Sequence, residues 1–140
     1  MKILVAADGS AYTKRMLAYL AAHDEWMGSA HRYTVLTVVP AVPPRAAAVL
    51  DRDLLDAYYN EEADKVFKPI RTFLSKQGLD AKFVHKVGHA ADTIASFSDK
   101  GKYDLLVMGS HGHGSLTNLV MGSVATKVLA KCGTPVLLVR

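Results

Sequence analysis

The stretch Asp104-Leu105-Leu106-Val107-Met108-Gly109-Ser110-His111-Gly112-His113-Gly114 decides how this sequence folds. After Asp104, Leu105 to Met108 form an apolar run without alternation, which is typical of a parallel strand buried on both faces. Glycines then follow in quick succession, and Gly122-Ser123 precedes a segment with helical spacing of apolar residues. A buried strand, a glycine-rich loop and a helix in this order predict one unit of an α/β fold.

The same alternation extends outward along the whole sequence. Buried-strand patterns cover residues 2–7, 33–39, 81–87, 104–108 and 135–139, and helical patterns fill the intervals between them. We therefore predict one α/β domain over residues 1–140. Its core is an open, parallel, five-stranded sheet with strand order 3-2-1-4-5 and helices on both faces.

Several local features carry separate predictions. Ser10 is placed to cap the first helix, and residues Pro40 to Val49 are predicted to be a loop. Pro69 is predicted to kink or break the long helix from Asp51 to Lys76 near Lys65. The inner stripe of that helix is predicted to be Leu55, Tyr59, Val66, Ile70 and Phe73, with Tyr58 also used for packing. For the last helix, Val124, Val128, Leu129 and Cys132 are predicted to form one face.

Composition excludes several classes of function. The formal net charge is +4, but the basic residues are scattered, so we expect no nucleic-acid partner. The sequence has no apolar stretch of the roughly 18 residues that a membrane helix needs, so we expect no membrane partner. Asp8 interrupts the first apolar run before it resembles a signal peptide, and the single cysteine, Cys132, fits a reducing compartment. We expect a cytoplasmic protein.

The predicted strand order brings the ends of the first and fourth strands together. Ligands of open α/β sheets bind at this switch point, where Asp8-Gly9-Ser10 and Gly109-Ser110-His111-Gly112 converge. Glycines allow the close approach and the positive φ angles of an anion-binding nest, and a helix N-terminus adds N–H donors. Ser123 is predicted to be both the N-cap and a hydroxyl donor. The spacing of the glycines matches neither that of a Walker A loop nor that of the dinucleotide fingerprint.

The glycine spacing resembles the ATP-binding signature of the universal stress protein family. It consists of Gly109-x-x-Gly112, nine further residues and Gly122-Ser123. Val5-Ala6-Ala7-Asp8-Gly9-Ser10 is similar to that family's first strand and turn, and Pro135-Val136-Leu137-Leu138-Val139 to its last strand. The resemblance covers essentially the whole chain.

The resemblance implies ATP as the ligand and assigns roles to matching positions. Ala6, Ala7 and Val38 would line the adenine pocket, and Asp8 would contact the ribose or a Mg²⁺ ion bound with the nucleotide. The positions around ribose and phosphates are Met108, Gly109, His111, Gly112, Gly122, Ser123, Val124 and Ala125. Two positions depart from the family pattern: Ala125 lacks a hydroxyl, and His113 replaces a basic residue.

The resemblance further implies a homodimer through the C-terminal strand, whose edge would otherwise be uncovered. We expect a nucleotide-dependent conformational or dimer switch in stress response rather than an enzyme, with slow ATP hydrolysis through His111 as a hypothesis. One alternative is a non-catalytic interaction or chaperone-like protein that does not depend on ATP. Another is a nucleotidyl-transfer enzyme, although Asp8-Gly9-Ser10 stands where such enzymes usually carry a His-x-Gly-His signature.

Overall fold

The computed structural model describes residues 1–114 and 120–140, so the middle of the predicted binding segment from Gly109 to Ser123 lies outside the described residues. The strands are β1 (Lys2–Ala6), β2 (Arg32–Val39), β3 (Ala81–Val87), β4 (Leu105–Gly109) and β5 (Val136–Val139). The helices are α1 (Ala11–Ala22), α2 (Asp24–Met27), α3 (Pro44–Ala47), α4 (Arg52–Lys76), α5 (Ala90–Lys100) and α6 (Ser123–Lys131). All strand pairs are parallel and the order is β3-β2-β1-β4-β5, which confirms the predicted fold.

The central strand β1 shows why the sheet needs helices on both faces. Ile3 and Val5 belong to the apolar cluster that α1 and α4 cover. Leu4 and Ala6 belong to the cluster on the opposite face, covered by α5 and α6. Since neighbouring side chains of a strand point to opposite faces, a strand buried on both sides must be apolar at every position.

The helix α4 differs from its prediction in two respects. It runs without a break through Pro69, which is exposed. A proline removes one main-chain donor, and here the 25-residue helix continues on both sides of it. The buried positions are Ala63, Phe67, Ile70 and Leu74, so of the predicted stripe only Ile70 is fully buried.

Other local predictions need smaller corrections. The short helix α3 lies inside the predicted loop from Pro40 to Val49. Leu129 is exposed, and it is Ala125 and Val128 that α6 buries. Tyr58 packs against the ring of Tyr59, with centroids 5.6 Å apart, but it remains 44% exposed. No helix among residues 1–114 and 120–140 is long and apolar enough to cross a membrane; the cytoplasmic location stays a prediction.

Candidate functional site

A cavity of about 240 Å³ opens at the switch point, beyond the carboxyl ends of β1 and β4. All twelve residues predicted from the sequence line it: Ala6, Ala7, Asp8, Val38, Met108, Gly109, His111, Gly112, Gly122, Ser123, Val124 and Ala125. The wall also contains six residues outside that set, namely Thr13, Leu36, Ala90, Ile94, His113 and Gly114. The structure therefore brings the whole predicted set together at one place.

The inner part of the cavity is apolar because three neighbouring strands present small or aliphatic side chains to it. Ala6 pairs in register with Leu36 of β2 and with Met108 of β4. Ala90 and Ile94 of α5 close this part from above. Sequence reasoning missed these two, because the position of a crossover helix over the sheet is set by packing and not by any motif. A flat apolar ring fits such a space.

The turn after β1 is held by hydrogen bonds centred on Asp8 and Thr13. Asp8 Oδ1 accepts from the N–H of Ser10 at 2.9 Å and from the hydroxyl of Thr13 at 3.0 Å. The Thr13 hydroxyl oxygen in turn accepts from the N–H groups of Asp8 and Gly9, each at 3.2 Å. Gly9 has a φ of +79°, which a residue with a side chain rarely adopts. Ser10 occupies the N-cap position of α1, but its side chain makes no capping bond, contrary to prediction.

The second carboxylate oxygen of Asp8 faces the glycine loop. A Cβ atom added to Gly112 would lie 2.6 Å from Asp8 Oδ2, which is closer than a Cβ atom comes to its neighbours in proteins. The turn therefore fixes Oδ1 and aims Oδ2 across the mouth of the cavity. This is the geometry that a carboxylate needs to accept a hydrogen bond or to hold a cation.

The loop after β4 needs its glycines for space. A Cβ on Gly109 would lie 2.8 Å from Tyr12 Cβ, and one on Gly122 would lie 3.1 Å from His111 Cα and 3.2 Å from the Ser110 carbonyl oxygen. The described glycines with positive φ are Gly9, Gly78 and Gly88, none of them in this loop. The predicted positive φ angles are therefore wrong for Gly109, Gly112, Gly114 and Gly122. Close packing takes their place at Gly109, Gly112 and Gly122, whereas Gly114 has open space beside it.

Two histidines connect this loop to the rest of the site. His111 Nδ1 lies 2.8 Å from Ser110 Oγ, and the His111 ring packs against Tyr12 with centroids 4.8 Å apart. His113 Nε2 donates to the main-chain oxygen of Asp8 at 2.6 Å. His113 thereby bridges the loops that follow β4 and β1, a role that its position in the sequence did not reveal.

The helix α6 begins at the cavity. Gly122 is its N-cap residue and Ser123 its first helical residue, so the prediction of Ser123 as the N-cap is off by one position. The N–H of Gly122 donates to the Ser110 carbonyl at 2.7 Å, which ties the helix to the loop. The N–H groups of the first helical residues have no partner within the helix, and the helix dipole makes this end partly positive.

Metal ligands are sparse in this region. Among residues 1–114 and 120–140, no group of three or more His, Cys, Asp and Glu side chains could hold a metal ion. Among the described residues of the cavity wall, the titratable side chains are those of Asp8, His111 and His113, with no lysine or arginine. A protein cage for a metal is thus absent from the described residues.

The chain is an open α/β domain with an apolar cleft at the switch point and N–H donors at its rim, the place where ligands of open α/β sheets generally bind. The model of the universal stress protein family matches residues 1–140, and the chain belongs to this family. The family predicted from the sequence is confirmed.

Two relatives illustrate the range of the similarity. A universal stress protein of Thermus aquaticus is 33% identical over 138 residues, covering 99% of this chain and 97% of that protein. A universal stress protein of Synechocystis is 32% identical over 139 residues, covering 99% of this chain. The present chain spans only 42% of the length of that relative.

Solved structures agree with the fold. The protein MJ0577 of Methanocaldococcus jannaschii superimposes with a TM-score of 0.82 at 26% identity, covering 99% of this chain and 94% of that one. More distant structures include an Arabidopsis thaliana family member with AMP bound, at 18% identity and a TM-score of 0.70 over 99% of this chain and 90% of that one. An Archaeoglobus fulgidus protein in complex with dAMP has 22% identity and a TM-score of 0.59 over 100% of this chain and 98% of that one.

Proposed function

We propose that this chain binds ATP in the cavity at the switch point and uses its occupancy as a conformational or dimer switch. The observation that carries the proposal is the placement of an apolar pocket directly beside the N-terminus of α6. A base fits the apolar part, and phosphates fit a rim of main-chain N–H donors. The AMP and dAMP complexes of the Arabidopsis and Archaeoglobus proteins support an adenine nucleotide as the ligand.

The size of the cavity suggests which parts of a bound nucleotide would lie inside it and which would lie at its rim. Small-molecule sites are typically about 300–1,000 Å³ in volume, and this cavity has about 240 Å³. We infer that the base and ribose lie inside, near Ala6, Val38 and Met108. The phosphates would then extend over Gly112 and the first turn of α6.

A Mg²⁺ ion would enter with the nucleotide. The residues present fit this arrangement, since Asp8 supplies one carboxylate oxygen and magnesium is usually bound by one or two carboxylates together with phosphates. Lysine and arginine are absent from the described wall, so the ion would neutralise much of the phosphate charge. We expect chelation of Mg²⁺ to weaken binding of ATP more than binding of AMP.

We propose binding rather than catalysis as the activity. Phosphoryl transfer needs charge stabilisation at the γ-phosphate and an oriented nucleophile. The wall offers the imidazole of His111 for such a role, and its Nδ1 is already in contact with Ser110 Oγ. Slow hydrolysis through His111 would show as phosphate release above a protein-free control that His111→Ala abolishes.

We also propose a homodimer through β5. This strand is an edge of the sheet, and its side chains Val136, Leu137 and Leu138 are half-buried in the single chain. Pairing of two copies would cover the edge symmetrically. Sedimentation of the protein with and without ATP tests both the dimer and its response to the nucleotide. We expect a dimer whose stability changes when ATP binds.

Calorimetric titration tests the proposed ligand. We expect saturable binding of one ATP per chain, weaker binding of GTP and weaker binding of ATP in excess chelator. Gly114→Ala is the matched control, because an added Cβ at Gly114 meets nothing within 4 Å although Gly114 lines the same cavity. Absence of heat at physiological nucleotide concentrations would overturn the proposal and favour an interaction protein that works without ATP.

A further inference from the structure

An exposed apolar stripe lies at the beginning of α4, away from the cavity. Leu50, Leu54 and Tyr58 follow one another at intervals of four residues, with exposed fractions of 42%, 62% and 44%. Val49, in the turn that precedes α4, is 84% exposed. We call these four residues the α4 stripe. The other large exposed apolar residues of the described chain (Met1, Trp26, Val87, Val120 and Leu129) belong to five separate segments.

The stripe is exposed because α4 turns this face away from the sheet. The buried residues of α4 are Ala63, Phe67, Ile70 and Leu74, which lie along its opposite face. The first buried residue of α4 is Ala63, so none of the residues from Arg52 to Glu62 is fully buried. On the helix, Leu54 and Tyr58 lie on the face opposite Ala63 and Phe67.

The stripe is flanked by carboxylates. Residues 51–64 contain six acidic side chains and one arginine, a formal charge of −5 in a chain whose net charge is +4. Asp53 and Asp64 flank the stripe on one side, and Asp51 and Glu62 on the other. Glu62 bonds to Lys65 at 2.9 Å and Asp64 lies 3.8 Å from Arg71. No ion pair involves Asp53, Asp56 or Glu61 in the part of the chain that the structure describes.

We propose that the α4 stripe binds an amphipathic helix of a partner protein, with aliphatic residues on one face and lysines or arginines along its flanks. Two helices packed side by side bury their apolar faces and pair the charges beside the seam. The apolar stripe supplies the buried centre, and the acidic flanks select a basic partner. Contact between apolar stripes alone would not discriminate between partners.

The same charges argue against a second copy of this chain as the occupant. Two-fold pairing of one stripe with another would bring two segments of formal charge −5 into contact, and like charges across an interface are unfavourable. The charge pattern therefore favours a different molecule.

Fluorescence anisotropy with two synthetic helical peptides of about 15 residues tests this inference. Both peptides carry leucines on one face; one carries lysines on the other positions and the second carries glutamates. We expect the lysine peptide to bind and the glutamate peptide to bind at least tenfold more weakly. The double variant Leu54→Gln, Tyr58→Gln should weaken binding of the lysine peptide at least tenfold, while the variant Asp53→Asn, Glu61→Gln should weaken it less and reduce its dependence on salt.

Leu129→Gln on α6 is the matched control, since Leu129 is as exposed as Tyr58 and lies outside the stripe. Circular dichroism confirms that each variant is folded. Equal binding of the lysine peptide by the wild type and by Leu54→Gln, Tyr58→Gln would overturn the inference, because charge alone would then explain it. Dissociation of an oligomer in the same double variant would also overturn it, because a second copy would be the occupant.

Discussion

The turn after β1 and the loop after β4 form adjoining walls of one cavity and are built in different ways. In the turn, polar side chains satisfy main-chain groups: Asp8 and Thr13 hold each other and the N–H groups around them. In the loop, neighbouring atoms pack closely against the main chain at positions where glycine has no side chain, as at Gly109 and Gly122. Hydrogen bonds fix the first wall and close packing fixes the second.

The difference shows that glycine serves two purposes in this site. Gly9 is needed for its positive φ, as part of a tight turn. Gly122 has an ordinary extended conformation, with φ −72° and ψ 165°, and is needed for the space beside it. Substitutions in the first wall should therefore be harmful because they remove hydrogen bonds or strain the backbone. Substitutions in the second wall should be harmful because the added atoms have no space.

The largest expected effect is that of Gly122→Val on the packed wall. The added side chain would press on His111 Cα and on the Ser110 carbonyl, and overpacking of this kind costs about 1–3 kcal/mol. Because the loop and the first turn of α6 must separate, we expect ATP affinity to fall about 100-fold, near 2.7 kcal/mol. Calorimetry measures this, with Gly114→Ala as the control. Unchanged affinity in a folded Gly122→Val protein would contradict the proposed site.

Thr13→Val tests the hydrogen-bonded wall. The replacement keeps the shape of a buried side chain but removes the oxygen that accepts from the N–H groups of Asp8 and Gly9. Each buried donor left without a partner costs about 1–3 kcal/mol. We expect a loss of about 2 kcal/mol in urea unfolding, consistent with that range. Thr72→Val on α4, whose exposed hydroxyl bonds only to the Lys68 carbonyl, should change stability little. Equal losses in both variants would contradict a special role for Thr13.

Gly112→Ala tests where the two walls meet. Its methyl group would displace Asp8 Oδ2, which lies 2.6 Å from the added atom, and we expect about a tenfold loss of ATP affinity, or 1.4 kcal/mol. The clash depends on the carboxylate, so Asp8→Ala combined with Gly112→Ala should bind no more weakly than Asp8→Ala alone. Independent, additive losses in this double-mutant cycle would contradict the contact.

The smallest effect is expected at the exposed contact between Asp92 of α5 and Lys131 of α6. The hydrogen bond and charge of Lys131 hold the pKa of Asp92 below its ordinary value. The resulting stabilisation is present above the ordinary pKa of the carboxyl group and is lost as pH falls through the lowered one. Asp92→Asn should therefore shift the urea midpoint slightly at neutral pH and not in strong acid. ATP affinity should not change, because Asp92 does not line the cavity.

The apolar pattern along each strand predicted the sheet and the place of the cavity, whereas the individual residues of its wall were assigned from the resemblance to the universal stress protein family. An unbroken apolar run such as Leu4-Val5-Ala6 specifies a buried parallel strand, and the strand order then specifies which loops meet. The sequence did not predict the exposure of Tyr58, since α4 has apolar residues on two faces and their spacing does not indicate which face packs against the sheet. It also missed the bridge from His113 to Asp8, which depends on the path of two loops in space.

A nuclear magnetic resonance titration of the ¹⁵N-labelled protein with ATP tests the central claim most directly, because it observes the main-chain N–H groups themselves. The account predicts that the largest shifts upon binding occur at the N–H groups of Gly112, Ser123 and Val124, with smaller shifts at Ala7 and Val38. Saturable binding whose largest shifts lie outside the cavity wall would contradict the claim that this site holds the nucleotide.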